Sequence, residues 1–134
     1  MRRLAAHSKF HIPMATSHLS AGPAVEVTED HCLLDVTALV TKGRQGFIAY
    51  EVSGDSMMES IPSGAVVFVD PYAEPKSGDI IAANVNGGIC IKRLQISQRR
   101  LYLVANNSQY KPREIKESDT LQILGVVKGS LNLY

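Results

Sequence analysis

Two residues of the chain have the surroundings that peptide-bond chemistry requires. Ser56 sits in Ser53-Gly54-Asp55-Ser56-Met57, directly after an apolar run that ends at Val52. A serine at such a strand-to-turn junction exposes its hydroxyl, with backbone N–H groups nearby that can hold an oxyanion. The spacing equally suits an N-cap, with Glu59 three residues on completing a capping box. Lys92 lies inside Ile89-Cys90-Ile91-Lys92-Arg93-Leu94. Strand alternation places Cys90, Lys92 and Leu94 on one face and Ile91 with Arg93 on the other. Apolar neighbours would desolvate the ammonium, and desolvation lowers a lysine pKa. Bringing it from about 10.4 to about 7 takes roughly 4 to 5 kcal/mol, within the range known for buried lysines. The plainer alternative is a solvent-facing lysine on an edge strand. A serine nucleophile needs a base, and a lysine kept neutral is one solution. Histidine is the commoner one, but only His31 lies outside the first twenty residues, and no second segment presents an obvious Asp to orient it.

Such residues need a scaffold, and from Leu33 onward the sequence supplies short apolar runs divided by turn residues. Leu33–Val40 suits either a helical turn or a strand. Gly46–Val52, Ala65–Val69, Ile80–Val85, Ile89–Leu94, Leu101–Val104 and Leu121–Val127 read as strands. Asn86-Gly87 is a strong hairpin signal, because a type I′ turn needs positive φ at both central residues. A second hairpin is expected at Ser97–Arg100, and a short helical turn at Met57–Ile61, stopped by Pro62. Many short strands with almost no helix predict a mainly β fold, a rolled antiparallel domain. The first thirty or so residues show no sustained period and read as an extended arm. The expected organisation is therefore an arm over residues 1–32 and a β domain over 33–134. His7, His11 and His18 in the arm would share a face only on a helix. Pro13 and the lack of a nearby carboxylate or Cys argue against a metal site there.

At 134 residues, 45% hydrophobic and 20% charged, the chain is sized and composed like one globular domain. No apolar run approaches the roughly 20 residues that span a bilayer, and the amino terminus lacks the apolar core of a secretion signal. A cytoplasmic protein is expected. Cys32 and Cys90 match no metal or redox spacing and read as reduced thiols. A net charge of +1 argues against grip on nucleic acid by a large basic surface. The sum conceals an asymmetry: residues 1–21 carry Arg2, Arg3 and Lys9 and no acid, whereas residues 22–134 carry 11 bases and 13 acids.

Taken in order, SGDSM, Ile61-Pro62-Ser63-Gly64 with the apolar run to Asp70, Ser77-Gly78-Asp79-Ile80, Ile91-Lys92-Arg93-Leu94, Asn106-Asn107-Ser108-Gln109-Tyr110 and Leu124-Gly125-Val126-Val127 form a pattern. It resembles the self-cleaving serine-lysine peptidase domain shared by LexA and UmuD, over roughly residues 17–131. The resemblance implies the rolled β domain of the LexA/UmuD C-terminal type. It makes Ser56 the nucleophile and Lys92 the general base, with no cofactor or metal. It also implies a self-cleavage site at an Ala-Gly or Cys-Gly bond in the arm, and Ala21-Gly22 is the one Ala-Gly pair before Ser56. By itself that pair would suit an ordinary linker. Two positions depart from the family pattern: Gly22 is followed at once by Pro23-Ala24, and Ala65 stands where the family commonly has Asp.

LexA-type repressors carry a helix-turn-helix domain of about 70 residues before the cleavage site, and 21 residues before Gly22 are too few for its three helices. UmuD, which lacks a DNA-binding domain, is the better match. What that implies is a protein of the SOS response to DNA damage. It would be stimulated by a RecA–single-stranded-DNA filament, and its processed form would support translesion, mutagenic synthesis by a UmuC-type Y-family polymerase. A homodimer is implied, with no sequence-specific DNA contact and no membrane. An extended arm from Gly22 to Leu33 reaches roughly 36 Å, against a radius of gyration near 13 Å for the domain. Cleavage within one chain and between two chains are both open. Two further functions fit the same motifs: a non-catalytic β module regulating a polymerase or repressor, and a soluble signal-peptidase-like protease acting on other proteins.

Overall fold

The structure, a computed structural model, describes residues 2–4, 11–15, 31–54, 60–107 and 109–133, with side chains from residue 38 onward. The chain divides into two compact units, residues 7–45 and residues 1–6 with 46–134. In the first, β2 (His11–Ala15) pairs antiparallel with β3 (His31–Asp35) in a two-stranded sheet, and β3 runs into a short helix, α1 (Val36–Thr41). The ambiguous Leu33–Val40 run is thus both strand and helical turn. His11 opens a strand, so the helical face that might have gathered three histidines does not form there.

The larger unit is an eight-stranded antiparallel sheet: β1 (Arg2–Leu4), β4 (Ile48–Glu51), β5 (Val66–Asp70), β6 (Ile80–Val85), β7 (Gly88–Ser97), β8 (Arg100–Val104), β9 (Arg113–Ile115) and β10 (Leu121–Leu131). Its spatial order is β1-β4-β5-β10-β6-β7-β8-β9. The mainly β, antiparallel architecture expected from the turn-punctuated runs is the one observed. Asn86 and Gly87 both have positive φ, 52° and 90°, as the I′ hairpin requires. Gln98 and Arg99 do the same at 50° and 62°, with no glycine to signal it.

Apolar side chains on both faces of the sheet are covered, and they form two clusters. One gathers Val52, Ile61, Ala65, Val67, Val69, Ala82 and Ile91; the other gathers Ile81, Ala83, Val85, Leu94, Leu103 and Val126. Strand β6 feeds both, because Ile81, Ala83 and Val85 alternate with Ala82. In β10 the phase of alternation changes. Leu121 and Ile123 pack with the second cluster, but so does Val126, while Leu124 and Val127 pack with the first. The cause is a bulge: the register against β6 shifts between Ile123 and Gly125, and one extra residue reverses which face the next side chain meets. Ala65, the departure from the family pattern, is almost wholly buried in the first cluster.

The turn that leads into β10 is held by one carboxylate. Asp119 accepts from the Lys116 N–H at 2.9 Å, from Asn86 Nδ2 at 2.9 Å and from the Arg113 guanidinium at 3.2 Å. Asn86 Oδ1 in turn accepts from the Thr120 N–H at 2.8 Å. The hydrogen bond from Lys116, then that from Asn86, hold the Asp119 carboxyl below the usual carboxylate range. A carboxyl whose folded pKa is depressed stabilises the fold above its unfolded value, about 3.9, and ceases to do so as pH falls through the folded value. The melting-temperature difference between wild type and Asp119→Asn should be steady above about pH 5 and close below about pH 4. Thermal unfolding from pH 7 to pH 3 measures it.

Candidate active site

Strand β4 ends at Glu51, and residues 52–65 connect it to β5. Backbone hydrogen bonds pin the base of this connection: the Val52 N–H donates to Ala65 O and the Gly64 N–H donates to Val52 O, each at 2.8 Å. Gly54, at φ 88°, starts the departure in a conformation that L side chains rarely adopt. Ser56 belongs in sequence to this connection but lies outside the described residues, as do Ala21, Gly22 and most of the predicted turn Met57–Ile61.

Lys92 is half-buried in the middle of β7, opposite Ile81 of β6. The strand alternates as expected around it, with Ile91 in one apolar cluster and Leu94, with Cys90 beside it, in the other. Lys92 borders a cavity of about 230 Å³ whose apolar wall includes Val85, Leu103 and Cys90. Tyr110, Lys111 and Arg113 complete the lining. Lys92 Nζ lies 5.7 Å from the centroid of the Tyr110 ring. Cys90 is a free thiol; burial pushes its pKa up, and the nearby Lys92 and Arg113 charges pull less strongly the other way. It is therefore a protonated wall of the cavity at neutral pH.

The loop after β8 touches both the β4–β5 connection, at Ser60, and Lys92 of β7. Asn106 Nδ2 donates to Ser60 Oγ at 3.1 Å, fastening the loop to the β4–β5 connection. The Asn107 side-chain oxygen accepts from the Gln109 N–H at 3.0 Å, and the Asn107 carbonyl accepts from the Tyr110 N–H at 3.0 Å. These local bonds set Tyr110 over Lys92. Sequence reasoning assigned no role to Tyr110, Lys111 or Arg113. The signal was a cluster of turn residues running into Tyr-Lys-Pro-Arg, an aromatic and two cations that only the pairing of β8 with β9 folds back toward β7.

The antiparallel β architecture with little helix is that of the LexA/UmuD C-terminal β domains. The chain belongs to the Peptidase S24-like family, whose pattern matches residues 13–128. It is 33% identical over 121 residues to the LexA repressor of Desulfatibacillum aliphaticivorans, covering 88% of this chain and 59% of that protein. It is 34% identical over 124 residues to Protein SamA of Salmonella typhimurium, covering 90% of this chain and 84% of that one. An HTH-type transcriptional regulator for conjugative element R391 of Providencia rettgeri is 32% identical over 123 residues, covering 84% of this chain and 56% of the regulator. The chain thus spans less than two thirds of the LexA repressor and most of SamA. Among the described residues, no helix is long and apolar enough to cross a membrane.

Proposed function

We propose that the chain is a self-cleaving serine endopeptidase of the SOS response, in which Ser56 and Lys92 form the dyad and Ala21–Gly22 is the bond cut. Neutral Lys92 takes the proton from Ser56 Oγ as that oxygen attacks the Ala21 carbonyl carbon. Backbone N–H groups near Ser56 hold the oxyanion. The tetrahedral intermediate collapses as Lys92 returns the proton to the Gly22 nitrogen, which leaves, and water then hydrolyses the Ser56 ester. The observation that carries this reading is the placement of Lys92, half-buried at the lip of an apolar cavity, with one loop reaching from it to Ser60.

In the organisation that follows, residues 1–32 are an arm that delivers its bond to the β domain of residues 33–134. Coverage of most of SamA and the family match favour a UmuD-like role. Contact with a RecA–single-stranded-DNA filament in the cytoplasm stimulates cleavage, and the processed homodimer supports translesion synthesis by a UmuC-type Y-family polymerase. The test is intact mass after incubation with a RecA filament, and separately at alkaline pH, where Lys92 loses its proton more readily. A product beginning at Gly22 is expected in both. An unchanged mass under both conditions overturns the peptidase function.

A further inference from the structure

We propose that Tyr110 is a positioning residue that holds Lys92 in its charged form, and so limits how fast the chain cuts itself without a stimulus. The inference rests on Lys92 being the general base. A base must be neutral to accept a proton, yet the Lys92 ammonium lies 5.7 Å from the Tyr110 ring centroid, inside cation–π range. The electron-rich ring face attracts the ammonium and not the amine, so the contact favours the resting protonation state.

Other groups at the cavity act in both directions. Lys111 and Arg113 line it with Lys92, and like charges disfavour a second ammonium; the pull of Arg113 is reduced by its pairing with Asp119 at 3.2 Å. Cys90, on the same strand, stays a neutral thiol at neutral pH. Against these like charges, the Tyr110 ring favours the Lys92 ammonium.

The ring is also placed to be moved. Its loop is set by the Asn107 turn at one end of the run and fastened through Asn106 to Ser60, four residues beyond Ser56. A rearrangement that loosened this loop would draw the ring away from Lys92. Latency and activation would then share one short segment.

The test is the rate of unstimulated self-cleavage of the full chain from pH 7 to pH 10.5, followed by intact mass. Tyr110→Leu removes the ring's quadrupole, and its profile should move to lower pH by about half a unit, with a rate about two- to fivefold higher near pH 7.5. Tyr110→Phe keeps the ring and should keep the wild-type midpoint. At 46% exposure Tyr110 is not a core residue, and unchanged thermal unfolding of the Leu variant checks the fold. Asn107→Ala, which keeps the ring but removes its turn acceptor, should shift the midpoint the same way. An unmoved or alkaline-shifted midpoint in Tyr110→Leu, with Lys92→Ala inactive, overturns the role of Tyr110 alone. Cleavage persisting in Lys92→Ala overturns the dyad and this inference with it.

Discussion

Lys92→Met is expected to leave the Ala21–Gly22 bond uncut over the whole range in which the wild-type chain processes itself, a loss of about 100- to 10,000-fold. Methionine keeps an unbranched stem at the cavity wall that Lys92 shares with Val85 and Leu103, while the amine disappears. A loss of this size separates chemistry from packing, because removing a stem alone would show first in thermal unfolding. The pH dependence carries a second signature. Wild-type cleavage should rise with pH as Lys92 deprotonates, whereas the residual rate in the variant should be nearly flat. Ser56→Ala should match it, since a dyad acts as a unit and losing either member costs about as much as losing both. Quantified fragment by mass spectrometry reads all three rates. A Lys92→Met chain that cleaves at the wild-type rate would remove lysine from the mechanism.

Gly125→Ala carries the largest expected effect on stability. A Cβ at Gly125 would lie 2.6 Å from Asp70 O, 2.6 Å from Val69 Cγ1 and 2.9 Å from Asp70 C. Two of these are backbone atoms of β5, and Val69 is fully buried, so nothing nearby can swing aside. The glycine sits where the β10 bulge brings the strand against β5, and the only escape is to part the two strands. Overpacking of this kind costs about 2 to 3 kcal/mol, equivalent to about 10 °C in melting temperature for a chain of this size. Gly88→Ala is the comparison, because a Cβ there meets only Val85 O at an ordinary 3.6 Å. Calorimetry should show a large drop for the first and little change for the second. Equal melting temperatures would mean that the bulge relaxes freely.

What the sequence disclosed and what it withheld follow from the range of the interactions. The Asn86-Gly87 hairpin was legible because its turn chemistry is local. Strands β5 and β6 were legible because continuous apolar runs mark strands covered on both faces. Strand β9 was not: Arg113-Glu114-Ile115 is too short and too polar to show a period, and it is a strand only because β8 offers it an edge. Likewise β1 and β2 lie in the stretch read as an extended arm, and they take strand form through partners about 50 and 20 residues away. The Gln98-Arg99 turn has I′ geometry without an I′ sequence. There the pairing of β7 with β8 imposes positive φ on residues that resist it. At the site, Lys92 stood out through its apolar neighbours, whereas Tyr110 and Asn106 act across loops whose meeting no spacing encodes.

The double duty of β6 has a consequence for how the larger unit comes apart. Its odd-numbered side chains belong to one apolar cluster and Ala82 to the other, so neither cluster can open while the strand stays covered. The two cores should therefore open as one cooperative unit in hydrogen exchange. Breathing is left to the outer strands and the loop after β8, and the proposed cut at Ala21–Gly22 would remove nothing from β6, the strand on which both cores depend.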